Sequence, residues 1–344
     1  MVLMSFFVPL SIIADVRADW ARAAESARLS AKISEIHGRR VIALRGEESQ
    51  LRPIPFDAFP GVERVVRLDA PYHLAAREFH ERDSVVPVGE TAVGGGHLAL
   101  IAGPCAVEDA DQLLATARAA RECGANVLRG GAFKPRTSPY EFRGLGVEGL
   151  RLLAEASREV GLPVVTEAMD TRHLEDVVRH ADMVQIGTRN MQNYPLLEEA
   201  GRTGLPVLLK RGRACTVAEW LCAAEYVLNT GNHRVVLCER GLVAFDPAVR
   251  NLLDLSAVPL VKRLSHLPVV VDPSHGTGHS ELVPAMARAA VAAGADGVMV
   301  EVHPRPERAL SDARQALRPP ELRALVTDLR AISEIVQRRP ACIS

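Results

Sequence analysis

The chain has 344 residues, a formal net charge of −1, 48% hydrophobic residues and 24% charged residues. This composition is typical of a folded globular enzyme and excludes extensive disorder. The near-zero charge argues against nucleic acid or an anionic membrane as the main partner, because either would favour a broad basic surface. The length suits about two domains, or one large α/β barrel with an appendage.

The cysteines and the amino-terminal segment indicate the cellular compartment. The six cysteines are scattered without framework spacing, and the sequence contains no Cys-x-x-Cys pair. This pattern favours a reducing cytoplasm. Residues 1–16 contain an apolar run without the basic segment that precedes it in a signal peptide, and the run is too short to span a bilayer. We interpret it as a buried strand rather than as a secretion signal.

Residues 1–70 are predicted to form a small α+β unit. A strand at the start is followed by a helix over Asp15–Leu29, by two strands that meet in a hairpin at His37 and Gly38, and by a last strand, VERVVRLD. This order is compatible with a ferredoxin-like module. Residues 71–96 carry charge, proline and glycine with little periodicity, which is typical of a linker.

From His97 onward the pattern becomes regular. Short runs rich in Val, Ile and Leu recur, and each precedes a stretch with helical spacing. The runs are LALIAGP, NVLRGGAF, PVVTEAM, MVQIGT, PVLLKRG, RVVLCERG, PVVVDPSH and GVMVEVH. Continuous apolar runs are typical of parallel strands covered on both faces. Eight such units predict a (β/α)₈ TIM barrel over residues 97–340, whereas a doubly wound sheet would more often show fewer strands and a glycine fingerprint.

The predicted strand ends are strongly cationic. The stretch NVLRGGAFKPRTS, at 126–138, is predicted to be a buried strand that opens into a cationic loop, although a solvated turn is the simpler alternative. The active site of such a barrel lies at the carboxyl ends of its strands. A ring of cations there would repel itself unless it bound anions, so we predict a site for more than one phosphate or carboxylate. The ring consists of Arg129, Lys134, Arg136, Arg189, Lys210 and Arg240.

A thiol, an imidazole and two carboxylates follow strands that would be neighbours in a closed barrel. Together they would suit Mn²⁺, Fe²⁺, Co²⁺ or Zn²⁺ without distinguishing among them. Each has a simpler interpretation, as a core cysteine, a helix-capping histidine, a partner of an arginine or an N-cap aspartate. Their coincidence on one rim favours a metal site with the ligands Cys105, His275, Glu301 and Asp312.

These motifs carry a family resemblance. The segments IAGPCAVED, LRGGAFKPRTSPYEFRGLGVEGL, QIGTRNMQN and VDPSHGTGH resemble those of the 3-deoxy-D-arabino-heptulosonate 7-phosphate (DAHP) synthases, of the compact type shared with 3-deoxy-octulosonate 8-phosphate synthases. The resemblance spans residues 97–330 and also includes the segment PYHLAAREFH in the linker. It implies condensation of phosphoenolpyruvate with erythrose 4-phosphate and water, releasing phosphate, as the first step of the shikimate pathway.

The resemblance also implies a role for each predicted site residue. The residues expected to hold phosphoenolpyruvate are Arg129, Arg189 and Lys210. The residues expected to hold erythrose 4-phosphate are Lys134, Arg136, Thr137 and Arg240. The metal, held by Cys105, His275, Glu301 and Asp312, would act as a Lewis acid. The catalytic residues would be His275 as a ligand, Lys134 as a proton donor and Glu167 as the residue that orients the water.

Two alternative functions remain open. An octulosonate synthase would use arabinose 5-phosphate, but its loop typically reads KANRSS where this chain has KPRTSP at 134–139, which favours erythrose 4-phosphate. A non-catalytic regulatory protein on the same scaffold would be expected to have lost a ligand or a cation, and none is missing. Val243, Gly276 and Ala313 depart from the family pattern without removing a proposed catalytic residue.

The amino-terminal unit has two possible roles by the same resemblance. It implies feedback inhibition by an aromatic amino acid, often tyrosine. The alternative is that the unit only shapes the oligomer, which we expect to be a homotetramer.

Overall fold

The computed structural model describes residues 2–9, 30–36, 39–46, 49, 64–68 and 70–337. The chain divides into two compact units, Met1–Glu81 and Arg82–Ser344. This division lies inside the segment 71–96 that the sequence predicts to be a linker. Among the described residues, no helix combines the length and the apolar character needed to cross a membrane.

The first unit contains a four-stranded antiparallel sheet with the order β2-β3-β1-β4. Its strands are β1 (Val2–Pro9), β2 (Ser30–Ile36), β3 (Arg39–Gly46) and β4 (Arg64–Leu68). The predicted helix over Asp15–Leu29 and the predicted turn at His37 and Gly38 lie outside the described residues.

The second unit begins with a short hairpin that the sequence pattern does not predict. Its strands are β5 (Val86–Val88) and β6 (Thr91–Val93). Val86, Val88 and Val93 are buried and pack against barrel residues such as Ala99, at the amino-terminal end of a strand. The hairpin therefore fills the end of the barrel interior opposite the predicted site. Three residues per strand are too few to show a clear alternation of apolar and polar positions.

Eight parallel strands close into a barrel, which confirms the predicted TIM barrel. The strands are β7 (Ala99–Gly103), β8 (Val127–Arg129), β9 (Val164–Ala168), β10 (Met183–Ile186), β11 (Val207–Lys210), β12 (Val235–Glu239), β13 (Val269–Val271) and β14 (Gly297–Glu301). Nearly every residue in them is buried, because helices cover the outer face and side chains fill the interior. Their uninterrupted apolar character follows from this burial on both faces.

Helices follow the strands, and all but a five-residue helix that carries His275 at the carboxyl rim return the chain to the opposite end of the barrel. They are α1 (Ala110–Cys123), α2 (Val147–Val160), α3 (Leu174–His180), α4 (Tyr194–Arg202), α5 (Val217–Leu228), α6 (Ala257–Leu264), α7 (Pro273–Thr277), α8 (Val283–Ala292) and α9 (Pro319–Gln337). Helix α1 shows why the helices begin and end where they do. The Asp109 side chain accepts from the Gln112 N–H at its start, and Gly124 ends it at φ 97°.

Candidate active site and metal centre

The four predicted metal ligands meet at the carboxyl rim of the barrel. One ligand atom from each of Cys105, His275, Glu301 and Asp312 lies within 4.8 Å of all the others. His275 Nε2 is 3.3 Å from Glu301 Oε1 and 3.6 Å from Asp312 Oδ2, and Cys105 Sγ is 3.2 Å from the same Asp312 oxygen. A thiol, an imidazole and two carboxylates in one cluster fit a divalent transition metal.

Asp312 does not cap a helix in the way that its simpler interpretation requires. A short 3-10 helix, Ala313–Gln315, begins directly after it, but the Asp312 side chain accepts no capping hydrogen bond. Its backbone lies in the left-handed region at φ 51°, the only such non-glycine residue in the described part of the chain. This strained conformation aims its carboxylate at the other three ligands, and strain of this kind is typical of functional sites.

Asp272 orients His275. Its Oδ1 accepts from the His275 backbone N–H at 2.9 Å, and its Oδ2 lies 2.8 Å from His275 Nδ1. Because a carboxylate only accepts, this contact assigns the proton to Nδ1 and leaves the Nε2 lone pair facing Glu301 and Asp312. Burial lowers the pKa of His275, which favours the neutral form that binds metals.

Asp272 also pairs with a cation. It is fully buried and accepts from the ammonium of Lys210. Burial alone would raise the pKa of the Asp272 carboxyl, but the interaction with the His275 ring and the charge of Lys210 outweigh it and hold this pKa well below its usual range. The carboxylate therefore fixes one candidate ligand and one predicted substrate residue together.

Lys134 approaches the cluster through Cys105. Its ammonium donates to Cys105 Sγ at 3.0 Å and to the Cys105 carbonyl at 2.9 Å. Burial, together with the charge of Glu301, raises the pKa of the Cys105 thiol to about 12 despite the nearby ammonium. Cys105 is thus protonated near neutral pH until a cation displaces the proton.

Three side chains hold Glu301 at the end of β14. Its carboxylate accepts from Arg129 Nη1 at 2.9 Å and from Gln315 Nε2 at 2.7 Å, and its backbone N–H donates to Ser274 Oγ at 3.0 Å. Burial alone would raise the pKa of Glu301, but His275 and Arg129 lower it, so the group is a carboxylate. Glu301 therefore pairs with an arginine, as its simpler interpretation expects, and also belongs to the cluster.

A cavity of about 220 Å³ opens beside the cluster, and every predicted substrate residue lines it. These residues are Arg129, Lys134, Arg136, Thr137, Arg189, Lys210 and Arg240. Glu167, His275 and Asp312 line it as well, whereas Cys105 and Glu301 do not. The cations that the sequence predicts to converge from different strands thus share one space.

Some of the cavity cations lack a carboxylate partner in the part of the chain that the structure describes, and another has a buried donor without an acceptor. In the ranges that the structure describes, neither Arg189 nor Arg240 pairs with a carboxylate, and the buried Arg240 donates only to the Gly241 carbonyl, at 3.4 Å. Arg136 Nη2 is buried and has no hydrogen-bond partner. Burial lowers the pKa of Arg240, which remains a cation. A buried donor without a partner is costly, so Arg136 Nη2 and the buried, unpaired charge of Arg240 point to bound anions.

Glu167 projects into the cavity from β9. Its Oε2 accepts from Gln185 Nε2 at 3.1 Å. A Cβ at Gly187 would lie 2.0 Å from Glu167 Oε1, so only glycine leaves room for the carboxylate in this position. The site therefore includes Gln185 and Gly187, which the sequence motifs alone do not single out.

Position at a strand end does not by itself decide which cations line the cavity, as Arg211 and Arg250 show. Arg211 follows Lys210 but turns away from the cavity, donating to Glu239 and to Asp254 at 2.9 Å each. Neighbouring residues of a strand point to opposite faces, which separates the two cations. Arg250, from the loop after β12, lines the cavity instead. Its position 11 residues after the strand gives no signal in the sequence.

Comparisons with known proteins agree with this geometry. The model described as the DAHP synthetase I family matches residues 77–338. The chain is 48% identical over 311 residues to a phospho-2-dehydro-3-deoxyheptonate aldolase of Thermotoga maritima, covering 90% of this chain and 92% of the relative. It is 36% identical over 270 residues to a 2-dehydro-3-deoxyphosphooctonate aldolase of Syntrophotalea carbinolica, covering 73% and 96%. A crystal structure of the Thermotoga maritima DAHP synthase superposes with a TM-score of 0.78 at 44% identity, covering 98% of both chains.

Proposed function

This chain belongs to the DAHP synthetase I family, and on that premise we propose that it condenses phosphoenolpyruvate with D-erythrose 4-phosphate and water. The products are DAHP and inorganic phosphate, and the reaction is the first step of the shikimate pathway. One observation carries the proposal: a cavity lined by converging cations adjoins a cluster suited to a divalent metal, and two of these cations, Lys134 and Arg240, are buried without a carboxylate partner among the described residues.

Phosphoenolpyruvate is assigned to two buried cations and one exposed cation. Arg129 and Lys210 are buried at the ends of β8 and β11, and Arg189 lies at the cavity mouth without a carboxylate partner among the described residues. The Nε of Arg129 is buried without an acceptor. Because phosphoenolpyruvate carries a phosphate and a carboxylate, converging guanidinium and ammonium groups match its charge.

Erythrose 4-phosphate is assigned to the loop after β8 and to Arg240. Arg136 Nε donates to the Phe142 carbonyl at 2.9 Å, which fixes the guanidinium while its Nη2 stays available. Thr137 lies beside it on the cavity wall. The aldehyde end of the sugar would then point toward Lys134 and the cluster.

The chain's own residues account for the proton movements. The C3 carbon of phosphoenolpyruvate forms a bond to the aldehyde carbon, and the resulting alkoxide takes a proton from Lys134. Burial opposes the charge on Lys134, but Cys105 and Glu301 raise its pKa, so it is an ammonium that can donate. Water adds to C2 and gives a proton to Glu167. The bond between C2 and the phosphate oxygen then breaks. The proton of the new C2 hydroxyl passes to the departing phosphate or to solvent, and a ketone remains.

Fixed geometry supplies much of the expected rate enhancement. Two anions that repel each other in solution are held side by side, and cations placed around the phosphate stabilise its departure. Cys105, His275, Glu301 and Asp312 would hold the metal, which when bound polarises the aldehyde as a Lewis acid. We propose Mn²⁺, Fe²⁺, Co²⁺ or Zn²⁺ without a preference.

The 2-dehydro-3-deoxyphosphooctonate aldolase relatives support arabinose 5-phosphate as the competing sugar. The test is a side-by-side assay of the metal-loaded protein with the two sugar phosphates, following phosphate release and product mass. We expect turnover with erythrose 4-phosphate to exceed that with arabinose 5-phosphate at least tenfold. Preference for arabinose 5-phosphate would replace the proposed activity with the octulosonate one.

We also propose that residues 1–70 form a ferredoxin-like regulatory domain of a cytoplasmic homotetramer. The sheet order β2-β3-β1-β4 supports the ferredoxin-like assignment, because that fold places its first strand between the third and the fourth. Titration with Phe, Tyr and Trp, with and without residues 1–70, tests the regulatory role. We expect one of them to inhibit only the full chain, and no response to any would favour a purely structural role.

A further inference from the structure

A two-residue segment of the loop after β12 lies against the candidate metal centre. Backbone hydrogen bonds in both directions between Leu242 and Leu252 close the base of this loop. The segment before Leu252 is Arg250-Asn251. The segment packs closely against two glycines. A Cβ at Gly278 would lie only 2.5 Å from the Arg250 Cβ, and a Cβ at Gly241 would lie only 2.7 Å from the Asn251 Cβ.

This segment runs along helix α7 and holds the turn that carries His275. Arg250 N–H donates to the Thr277 carbonyl and Asn251 N–H donates to the Gly276 carbonyl, each at 2.9 Å. The buried Asn251 side chain donates through Nδ2 to the His275 carbonyl, also at 2.9 Å. Three hydrogen bonds from outside helix α7 thus fix the turn that carries His275, and one of them is accepted by the His275 carbonyl itself.

The Arg250 side chain reaches the two carboxylate ligands. Its Nη1 lies 3.2 Å from Asp312 Oδ1 and donates to Gln315 Oε1 at 2.8 Å. The Gln315 amide in turn donates through Nε2 to Glu301 Oε2 at 2.7 Å. One guanidinium therefore contacts Asp312 directly and Glu301 through a single, almost fully buried side chain. In each carboxylate, Arg250 or Gln315 contacts one oxygen, and the other oxygen faces His275.

We propose that Arg250 is a positioning residue that sets the orientation of Asp312 and, through Gln315, of Glu301 for cation binding. This inference rests on the proposed metal centre. The guanidinium occupies the outer oxygen of Asp312, so the strained carboxylate keeps its inner oxygen toward Cys105 and His275. Residues that orient metal ligands in this way typically contribute about 10- to 100-fold to metal affinity.

Simple charge would act in the opposite direction, which makes the proposal testable. A nearby guanidinium repels a divalent cation, so a residue that contributed only charge would weaken cation binding, and its removal would tighten it. Arg250→Ala removes both the charge and the bridge. Arg250→Lys retains the charge but replaces the planar fork with a single ammonium that cannot reproduce its geometry.

The experiment is titration of the metal-free full chain with Co²⁺ alone, read by calorimetry and by the visible absorption of the bound ion. We expect Arg250→Ala and Arg250→Lys both to bind Co²⁺ about 10- to 100-fold more weakly than the wild type, with a changed absorption band. Gln315→Met should weaken binding as well, and the Arg250→Ala/Gln315→Met double variant should lose less than the sum of the two effects, because both act through one chain of contacts. Arg314→Ala is the matched control, since that arginine is exposed and lies next to Gln315 in the segment after β14, and it should bind as the wild type does.

Each other outcome has a defined meaning. Tighter binding by Arg250→Ala, or wild-type affinity and absorption in both Arg250 variants, would overturn the positioning role. Failure of the wild-type chain to bind Co²⁺ would instead overturn the metal centre itself. Circular dichroism of each variant separates these results from misfolding. If Arg250→Ala does not fold, the Arg250→Lys titration decides alone.

Discussion

Gly187→Ala should reduce catalysis while leaving the fold intact. Gly187 has φ −70° and ψ 160°, an extended conformation that alanine adopts without strain. The added Cβ would lie 2.0 Å from Glu167 Oε1 and 2.7 Å from its Cδ. Since Glu167 is a side chain that can rotate, we expect the carboxylate to leave its position and to lose the 3.1 Å hydrogen bond from Gln185.

The size of the effect follows from that hydrogen bond. A hydrogen bond to a charged group contributes about 1.5–3 kcal/mol. If Glu167 takes up the proton of the attacking water, as proposed, this amount appears in the transition state, where about 1.4 kcal/mol is worth a factor of ten in rate. The expected loss is therefore about 10- to 100-fold in kcat, with both KM values changed by less than about threefold.

The assay is steady-state phosphate release, with thermal unfolding as the control for the fold. Glu167→Gln supplies the matched background: adding Gly187→Ala to it should cost little more, because the displaced group has already lost its function. A Gly187→Ala enzyme with wild-type kcat would refute the reasoning about Glu167. An equal further loss in the Glu167→Gln background would also refute it, because the substitution would then act elsewhere.

Two further predictions concern buried charge and substrate assignment. Asp272→Asn leaves Lys210 without its carboxylate partner and should lower the apparent free energy of unfolding in urea by about 3–5 kcal/mol, as expected for a broken buried pair, and a change below about 1 kcal/mol would contradict this. Arg136→Ala should raise KM for erythrose 4-phosphate more than KM for phosphoenolpyruvate, and Arg189→Ala should do the reverse. Varying each substrate in turn measures both, and equal effects on the two KM values would contradict the assignment.

The sequence predicts the barrel because the same requirement for apolar residues applies to each of its eight strands. Strands covered on both faces must be apolar throughout, so the segments later seen as β7 to β14 stand out as continuous runs. Once the strands are known, the barrel rule places their carboxyl ends on one rim. The rule, extended to the loops after the strands and joined to the family motifs, predicts that Cys105, His275, Glu301 and Asp312 lie together, and the structure confirms that they do.

The remaining features depend on contacts that no local pattern encodes. Arg211 and Lys210 are adjacent cations, and only the side of the strand separates the one that pairs with Glu239 from the one that lines the cavity. Gly187 reads as an ordinary loop glycine until the Glu167 carboxylate is seen in the space of its missing side chain. Arg250 reaches the site only because its loop folds back along helix α7.

The metal dependence of the condensation tests the central claim most directly. The measurement is phosphate release from phosphoenolpyruvate and erythrose 4-phosphate, with the wild type and Cys105→Ala each assayed in EDTA and after addition of Mn²⁺. We predict that EDTA abolishes turnover of the wild type, that Mn²⁺ restores it, and that Cys105→Ala is inactive in EDTA and is not restored to wild-type turnover at the same Mn²⁺ concentration, although it keeps its fold. Full activity of Cys105→Ala in EDTA would contradict a metal-dependent reaction at this site.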